Sequence, residues 1–316
     1  MSVQNAKVSV VIAVKNDARR LRVLLDSIAG LPERPQVIVV DNGSTDDSVS
    51  VARQCGAEVF SHPKLRVGAL RNRGVEHADG DVLAFADSDH EVPVDWLQRG
   101  LLALEAQPGV VAAGSHYLAP SDGTWVQRVW AIHRLRGADH RQVEWLGAGN
   151  LFVRRDAFEK VGGFSETLVA AEDVDLCHRL REQGGRIVCD HSIRSVHHGE
   201  PKTVWHFLKK EYWRGSSGVR AWVAQGFPMR DLPSLVWPVW HLAFGLLGLC
   251  CFLASAFWLD RAWFAYGVLA WGGWLAPSGI LAIKTAWETG YAKSVAPLWC
   301  LYFFYGIARA AALFRK

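Results

Sequence analysis

The chain has 316 residues, enough for one large domain or for one domain with an appendage. Six cysteines without a CxxC pair or zinc-type spacing exclude a zinc module and read as reduced, mostly buried thiols in a cytoplasmic setting. A net charge of +4 decides neither for nor against a membrane or nucleic-acid surface.

From the N-terminus, Val8–Val14 is an apolar run too short for a signal-peptide core and is followed at once by Lys15-Asn16-Asp17, so it reads as a first strand. Gln36–Asp41, Ala57–Phe60 and Val82–Ala86 are further β-rich runs bounded by turn formers. Between them Leu21, Leu24, Leu25 and Ile28 fall at helical spacing. Val49, Ala52 and Arg53 mark a weaker helix, and Val67–Ala78 completes the series. Strands alternating with helices predict an α/β fold, a mostly parallel sheet covered on both faces, whose ligands bind beyond the carboxyl ends of the strands.

Beyond Gly199 the composition changes. Leu232–Leu259 and Ala262–Ile283 carry no formal charge and each exceeds the roughly 18 residues that mark a membrane span. Val295–Phe314 is a third apolar stretch, interrupted by Arg309. Eleven of the fifteen tryptophans lie in this half, several near span ends where an interfacial belt places them. The expected division is a catalytic domain over 1–225 and membrane-anchoring helices over 232–316. Within the former, 201–225 reads equally as an interfacial or a packed connector helix. Lys202, Lys209, Lys210, Arg214, Arg220 and Arg230 precede the first span, so the positive-inside rule keeps the catalytic half in the cytoplasm, as at a bacterial inner membrane. A third span would leave Arg315 and Lys316 outside; an interfacial third helix would leave them inside.

The sharpest chemical feature is Phe85-Ala86-Asp87-Ser88-Asp89-His90, at the end of an apolar strand. Carboxylates at i and i+2 project to one side, repel each other, and suit Mg²⁺ or Mn²⁺ held together with substrate phosphates. Such triplets also occur as solvated turns and helix caps. Val37–Val40 leads into Asp41-Asn42-Gly43-Ser44-Thr45, a strand–turn–helix junction whose Asp41 carboxylate can additionally accept a proton from a nucleobase. Arg66-Val67-Gly68-Ala69-Leu70-Arg71-Asn72-Arg73-Gly74 reads as a site for base and diphosphate or as a solvated basic helix face.

Together these segments resemble family 2 glycosyltransferases, inverting enzymes of the GT-A nucleotide-diphospho-sugar fold. The likeness continues through Gly147-Ala148-Gly149-Asn150, Val161-Gly162-Gly163-Phe164 and Glu172-Asp173-Val174-Asp175, and covers about residues 7 to 220. It implies a donor site around Val14, Asn16, Asp41, Gly43, Ser44, Arg66, Gly68, Arg71, Asn72, Asp87 and Ser88. It implies metal ligands among Asp87, Asp89 and one of His197 and His198. Asp173 is the implied catalytic base, in the Glu172-Asp173 pair, and Trp145, Gly147, Gly149 and Asn150 lie on the acceptor side. For Asp173 the plain alternative is an acid stabilised by a helix N-terminus.

The implied reaction takes one sugar from a nucleotide-diphospho-sugar to a hydroxyl of a lipid-linked or cell-envelope glycan, with Mn²⁺ or Mg²⁺ and no nucleic acid involved. A Gln-x-x-Arg-Trp segment is absent, which speaks against a processive synthase; Trp213-Arg214-Gly215-Ser216-Ser217-Gly218 stands there instead. A processive polysaccharide synthase or a transferase charging a polyprenyl phosphate, and an inactive nucleotide-sugar-binding membrane protein, are the rival readings.

Overall fold

The computed structural model describes residues 6–135, 141–215 and 232–314. Two compact units form, one from Met1–Pro120 with Ala138–Gly199, the other from Ser121–Gly137 with Glu200–Lys316.

The first unit is built on an eight-stranded sheet. Strands β1 (Val8–Val14), β2 (Gln36–Asp41), β3 (Glu58–Ser61) and β4 (Val82–Asp87) occur where the apolar runs predict them. They pair in parallel in the order β3-β2-β1-β4. Register matters for function: Val14 lies opposite Asp41 and Ala13 opposite Asp87, so both acids emerge at one edge of the sheet. The sheet continues through β8 (Asn150–Arg154), β6 (Val110–Gly114), β9 (Arg186–Cys189) and β7 (Arg141–Gln142). Here the expectation needs extending, because β8 runs antiparallel between β4 and β6. A two-residue strand β5 (His90–Glu91) pairs antiparallel with β10 (Val196–His197), away from the main sheet.

Strand alternation fills both faces. Val10, Ile12 and Val14 of β1 join Leu21, Leu24, Leu25 and Ile28 of helix α1 (Ala18–Ala29), and Leu97 and Leu101 of α4 (Trp96–Glu105). Val11 points the other way, to Leu83, Phe85, Phe158, and Leu176 and Leu180 of α7 (Glu172–Glu182). Each such buried aliphatic side chain contributes about 1.5–3 kcal/mol, which fixes the sheet and hence its loaded edge. Helices α2 (Ser48–Gln54), α3 (Val67–Val75) and α6 (Arg155–Lys160) complete this unit.

The second unit gathers α5 (Trp125–Arg134), α8 (Val204–Gly215) and three long apolar helices: α9 (Leu232–Trp258), α10 (Arg261–Thr289) and α11 (Val295–Ala312). Val236–Trp258, Arg261–Thr289 and Ala292–Ala312 are each long and apolar enough to cross a membrane. Val126, Val129, Trp130 and Ile132 of α5 share a core with Phe207 of α8 and with Leu298, Leu301 and Tyr302 of α11. His133 Nδ1 lies 2.9 Å from the Tyr302 hydroxyl, itself 2.8 Å from Thr285 Oγ1. Residues 216–225 of the predicted connector, and the orienting Arg220, Arg230, Arg315 and Lys316, lie outside the described residues.

The charge within the third apolar stretch has a partner. Arg309 Nη2 donates to Glu211 Oε2 at 2.9 Å, and Arg214 Nη1 to Glu211 Oε1 at 2.8 Å, with the Glu211 side chain 2% exposed. Glu211→Gln removes the charge but keeps the shape, so it is expected to cost about 1.5–3 kcal/mol, the value of hydrogen bonds to a charged group. Thermal unfolding in detergent reads this. An unchanged melting temperature would mean that the pair does not hold α8 to α11.

Candidate active site

At the sheet edge, β2 ends in Asp41, whose carboxylate accepts from the Gly43 amide at 3.0 Å and the Ser44 amide at 3.0 Å, and from the Ser61 hydroxyl at 3.3 Å. Gly43, at φ 74°, supplies the left-handed residue that this turn requires. Ser44 Oγ then receives the Asn16 amide at 2.9 Å, and Asn16 Oδ1 the Thr45 amide at 2.7 Å, tying the ends of β1 and β2 together. Val14 is buried directly behind them, and Asn16 is exposed.

From β4 the chain delivers Asp87, Ser88 and Asp89. The Ser88 hydroxyl donates to Asp17 Oδ2 at 2.9 Å. The two acids then part company. Asp87 Oδ1 accepts from Arg71 Nη2 at 2.7 Å, while Arg71 Nη1 donates to Glu172 Oε1 at 2.7 Å. Arg71 is buried, so its charge is committed to Asp87 and Glu172 rather than standing free for a phosphate. Asp89 meets histidines instead. His197 Nε2 lies 3.1 Å from Asp89 Oδ2, and donor atoms of Asp89, His90 and His197 all fall within 4.8 Å of one another. Burial alone would raise the Asp89 carboxyl, but the His197 hydrogen bond and the His197, His90 and Arg20 charges hold it well below the usual carboxylate range.

One carboxylate and two imidazoles form a donor set that Mn²⁺ accepts. The space around them is kept clear by glycine. A Cβ on Gly199 would run into Asp89 Oδ2 and lie 3.0 Å from His197 Nε2, and a Cβ on Gly149 would lie 2.5 Å from Asp87 Oδ2 and 3.2 Å from His90 Nε2. The residues present therefore fit a divalent cation. Of the two candidate histidines, His197 is the one beside Asp89; His198 Nε2 is placed 2.9 Å from Glu91 Oε2. His90 enters the group unforeseen. Its pairing opposite His197 in the β5–β10 ladder brings them together, with ring centroids 4.7 Å apart. The only sequence signal was its place immediately after the acidic triplet.

Helix α7 brings the last acid. Ala171, at φ 65°, turns the chain so that the helix opens on Glu172-Asp173. Glu172 is buried against Arg71, which leaves Asp173 half-buried as the acid of the pair without that cation. Burial and the Glu172 charge, opposed by Arg71, push the Asp173 carboxyl up to about 6. A Cβ on Gly147 would lie 3.7 Å from Asp173 Oδ2, so Gly147 and Gly149 border Asp173 and the acid–histidine group in turn.

Other expected donor and acceptor residues have structural work. Asn72 exchanges hydrogen bonds with Phe164, giving to its carbonyl and taking from its amide, both at 2.9 Å. Gly68 allows that same loop to approach, with the Ser165 carbonyl where a Cβ would be. Asn150, expected on the acceptor side, is buried; its Oδ1 accepts from Trp96 Nε1 at 2.9 Å and its Nδ2 donates to the Ile193 carbonyl at 2.8 Å. Arg66 and Trp145 are exposed.

This sheet order, with acids collected at the strand ends, is that of the GT-A nucleotide-diphospho-sugar transferase fold. Residues 9–162 match the model of Glycosyl transferase family 2, and the chain carries a family 2 glycosyltransferase domain there. It is 28% identical over 240 residues to the glycosyltransferase AglE of Haloferax volcanii, covering 72% of this chain and 78% of that one. It is 33% identical over 225 residues to a pre-mycofactocin glycosyltransferase of Mycobacterium tuberculosis, covering 66% of this chain but 46% of that longer protein. Among solved structures, a mannosyltransferase from Pyrobaculum calidifontis in complex with GDP-Man and Mn²⁺ aligns over 98% of this chain and 88% of its own, with a TM-score of 0.59 and 20% identity.

Proposed function

We propose that this chain transfers a single sugar, with inversion, from a nucleotide-diphospho-sugar to a hydroxyl of a lipid-linked or cell-envelope glycan, assisted by Mn²⁺ or Mg²⁺. The observation that carries the reading is the Gly147-Ala148-Gly149 segment, bordered by a carboxyl raised to about 6 on one side and by the acid–histidine group on the other. Asp173 takes the proton from the acceptor hydroxyl as its oxygen bonds to the anomeric carbon, and the nucleoside diphosphate leaves from the opposite face. Displacement in one step inverts that carbon. Asp89, His90 and His197 would hold a divalent ion, which when bound would offset the charge of the departing diphosphate, so that no strong general acid is needed. We assign Asp41, whose carboxylate is buried in the turn after β2, to the nucleobase, and Asp87, fixed by Arg71, to the ribose.

The three apolar helices support a membrane site of action and an acceptor with a lipid anchor. Lys202, Lys209, Lys210 and Arg214 precede the first of them, which supports a cytoplasmic catalytic unit. The acceptor then arrives by diffusion in the plane of the bilayer.

A thermal-shift screen of the full chain over UDP-, GDP- and dTDP-sugars, each with Mn²⁺ and Mg²⁺, tests the donor. A ligand present at a hundredfold excess over its Kd stabilises by about 2.7 kcal/mol. Because the Pyrobaculum mannosyltransferase was solved with GDP-Man and Mn²⁺, that combination is the first arm. Silence toward every donor with both metals would overturn the proposal.

A further inference from the structure

Of the two arginines expected at the donor, Arg66 is exposed, but both arms of the Arg71 guanidinium are spent on Asp87 and Glu172, and its side chain is 5% exposed. A second guanidinium reaches the acidic triplet from the opposite side. Arg20, in the first turn of α1, places Nη1 at 3.8 Å from Asp89 Oδ2, with 42% of its side chain exposed. Its aim is set by Asp17, whose Oδ1 accepts from Arg20 Nε at 2.6 Å while its Oδ2 accepts from the Ser88 hydroxyl at 2.9 Å. One side chain, Asp17, thus holds both Arg20 and the residue between the two acids of the triplet.

We propose that Arg20 is a donor-binding residue that grips the outer phosphate of the nucleoside diphosphate beside Asp89. This rests on the glycosyl-transfer reading above. A diphosphate brings more negative charge than one divalent ion, already shared with Asp89, can offset. A planar guanidinium with free N–H groups, tethered at Nε and open at Nη, is suited to two-pronged contact with phosphate oxygens. A cation held by Asp89, His90 and His197 would also repel Arg20 and weaken its pairing with Asp89, leaving the guanidinium available to the anion.

The test uses the full chain in nanodiscs. Binding of UDP, GDP and dTDP with Mn²⁺ is measured by calorimetry, binding of Mn²⁺ alone by electron paramagnetic resonance, and the nucleoside monophosphates serve as probes lacking the outer phosphate. Arg20→Gln is expected to weaken the preferred diphosphate about tenfold, equivalent to ~1.4 kcal/mol. It should leave the matching monophosphate unchanged and should not weaken Mn²⁺ alone, since a competing cation has gone. Arg20→Lys is expected to recover part of the loss as a point charge. Equal diphosphate affinity in Arg20→Gln and the natural chain, or equal losses for mono- and diphosphate, would overturn the role of Arg20 while leaving the donor reading standing. If the natural chain binds no nucleoside diphosphate with Mn²⁺, the donor reading falls and this one falls with it.

Discussion

Asp173→Asn is expected to lower kcat by about 10²–10⁴-fold, the usual contribution of a positioned general base, while the Kd for the donor stays within about twofold. The amide is nearly isosteric and Asp173 is not the partner of Arg71, so the Asp87–Arg71–Glu172 bridge survives the change. Acidity gives a second signature. In the proposed role the carboxylate form is the base, so kcat/KM of the natural chain is expected to rise as pH increases through about 6 and to level above it. Stability runs the other way. A folded-state pKa above the unfolded 3.8 favours the protonated fold, so this contribution is complete below the unfolded value and is lost as pH rises through about 6. The asparagine variant should therefore melt higher than the natural chain at pH 8, and the two should converge near pH 4. Near-normal turnover in Asp173→Asn would remove the assignment, and a pH profile flat from 5 to 8 would remove its electrostatic basis.

The second large effect needs no ligand removed. Gly199→Ala adds one methyl group where Asp89 Oδ2 and His197 Nε2 stand, so the carboxylate or the β10 backbone has to shift. A misplacement of about 1 Å in such a site costs on the order of 10²-fold. The expected result is Mn²⁺ affinity and turnover both reduced by about that factor, with turnover partly regained at high Mn²⁺. Gly272→Ala, which meets nothing within 4 Å, is the control and should leave the Mn²⁺ titration unchanged. An unaltered titration in Gly199→Ala would show that the cation is held elsewhere.

The half of the fold that positions Asp41 and Asp87 is legible in the sequence for a simple reason. Parallel strands buried on both faces are written as continuous apolar runs, and their last residues mark the working edge. The His90–His197 encounter is not legible, because it depends on a ladder of two residues per strand joining positions 107 apart, too short to leave any periodicity. Nor could composition tell a ligand-seeking polar side chain from one that braces the scaffold. Arg71, Asn72 and Asn150 are the residue types a donor or acceptor site wants, and they are equally the types that satisfy a buried carboxylate, a loop amide or an indole. Helix α5 shows the same limit. The sequence reading marks no element there, and only the structure shows that Val126, Val129, Trp130 and Ile132 share a face and what covers it.

That last point bears on how the apolar helices can be exchanged. Helix α5 lies between β6 and β8 in sequence, yet its apolar face is completed by α8, α10 and α11. The C-terminal helices are therefore not a detachable tail. A chain ended near residue 200 would leave Val126, Val129, Trp130 and Ile132 uncovered, and a chimaera that borrows another enzyme's anchor would have to import a matching α5 from the middle of the donor sequence. Helix α5 and the C-terminal apolar helices would in this sense have to be exchanged together.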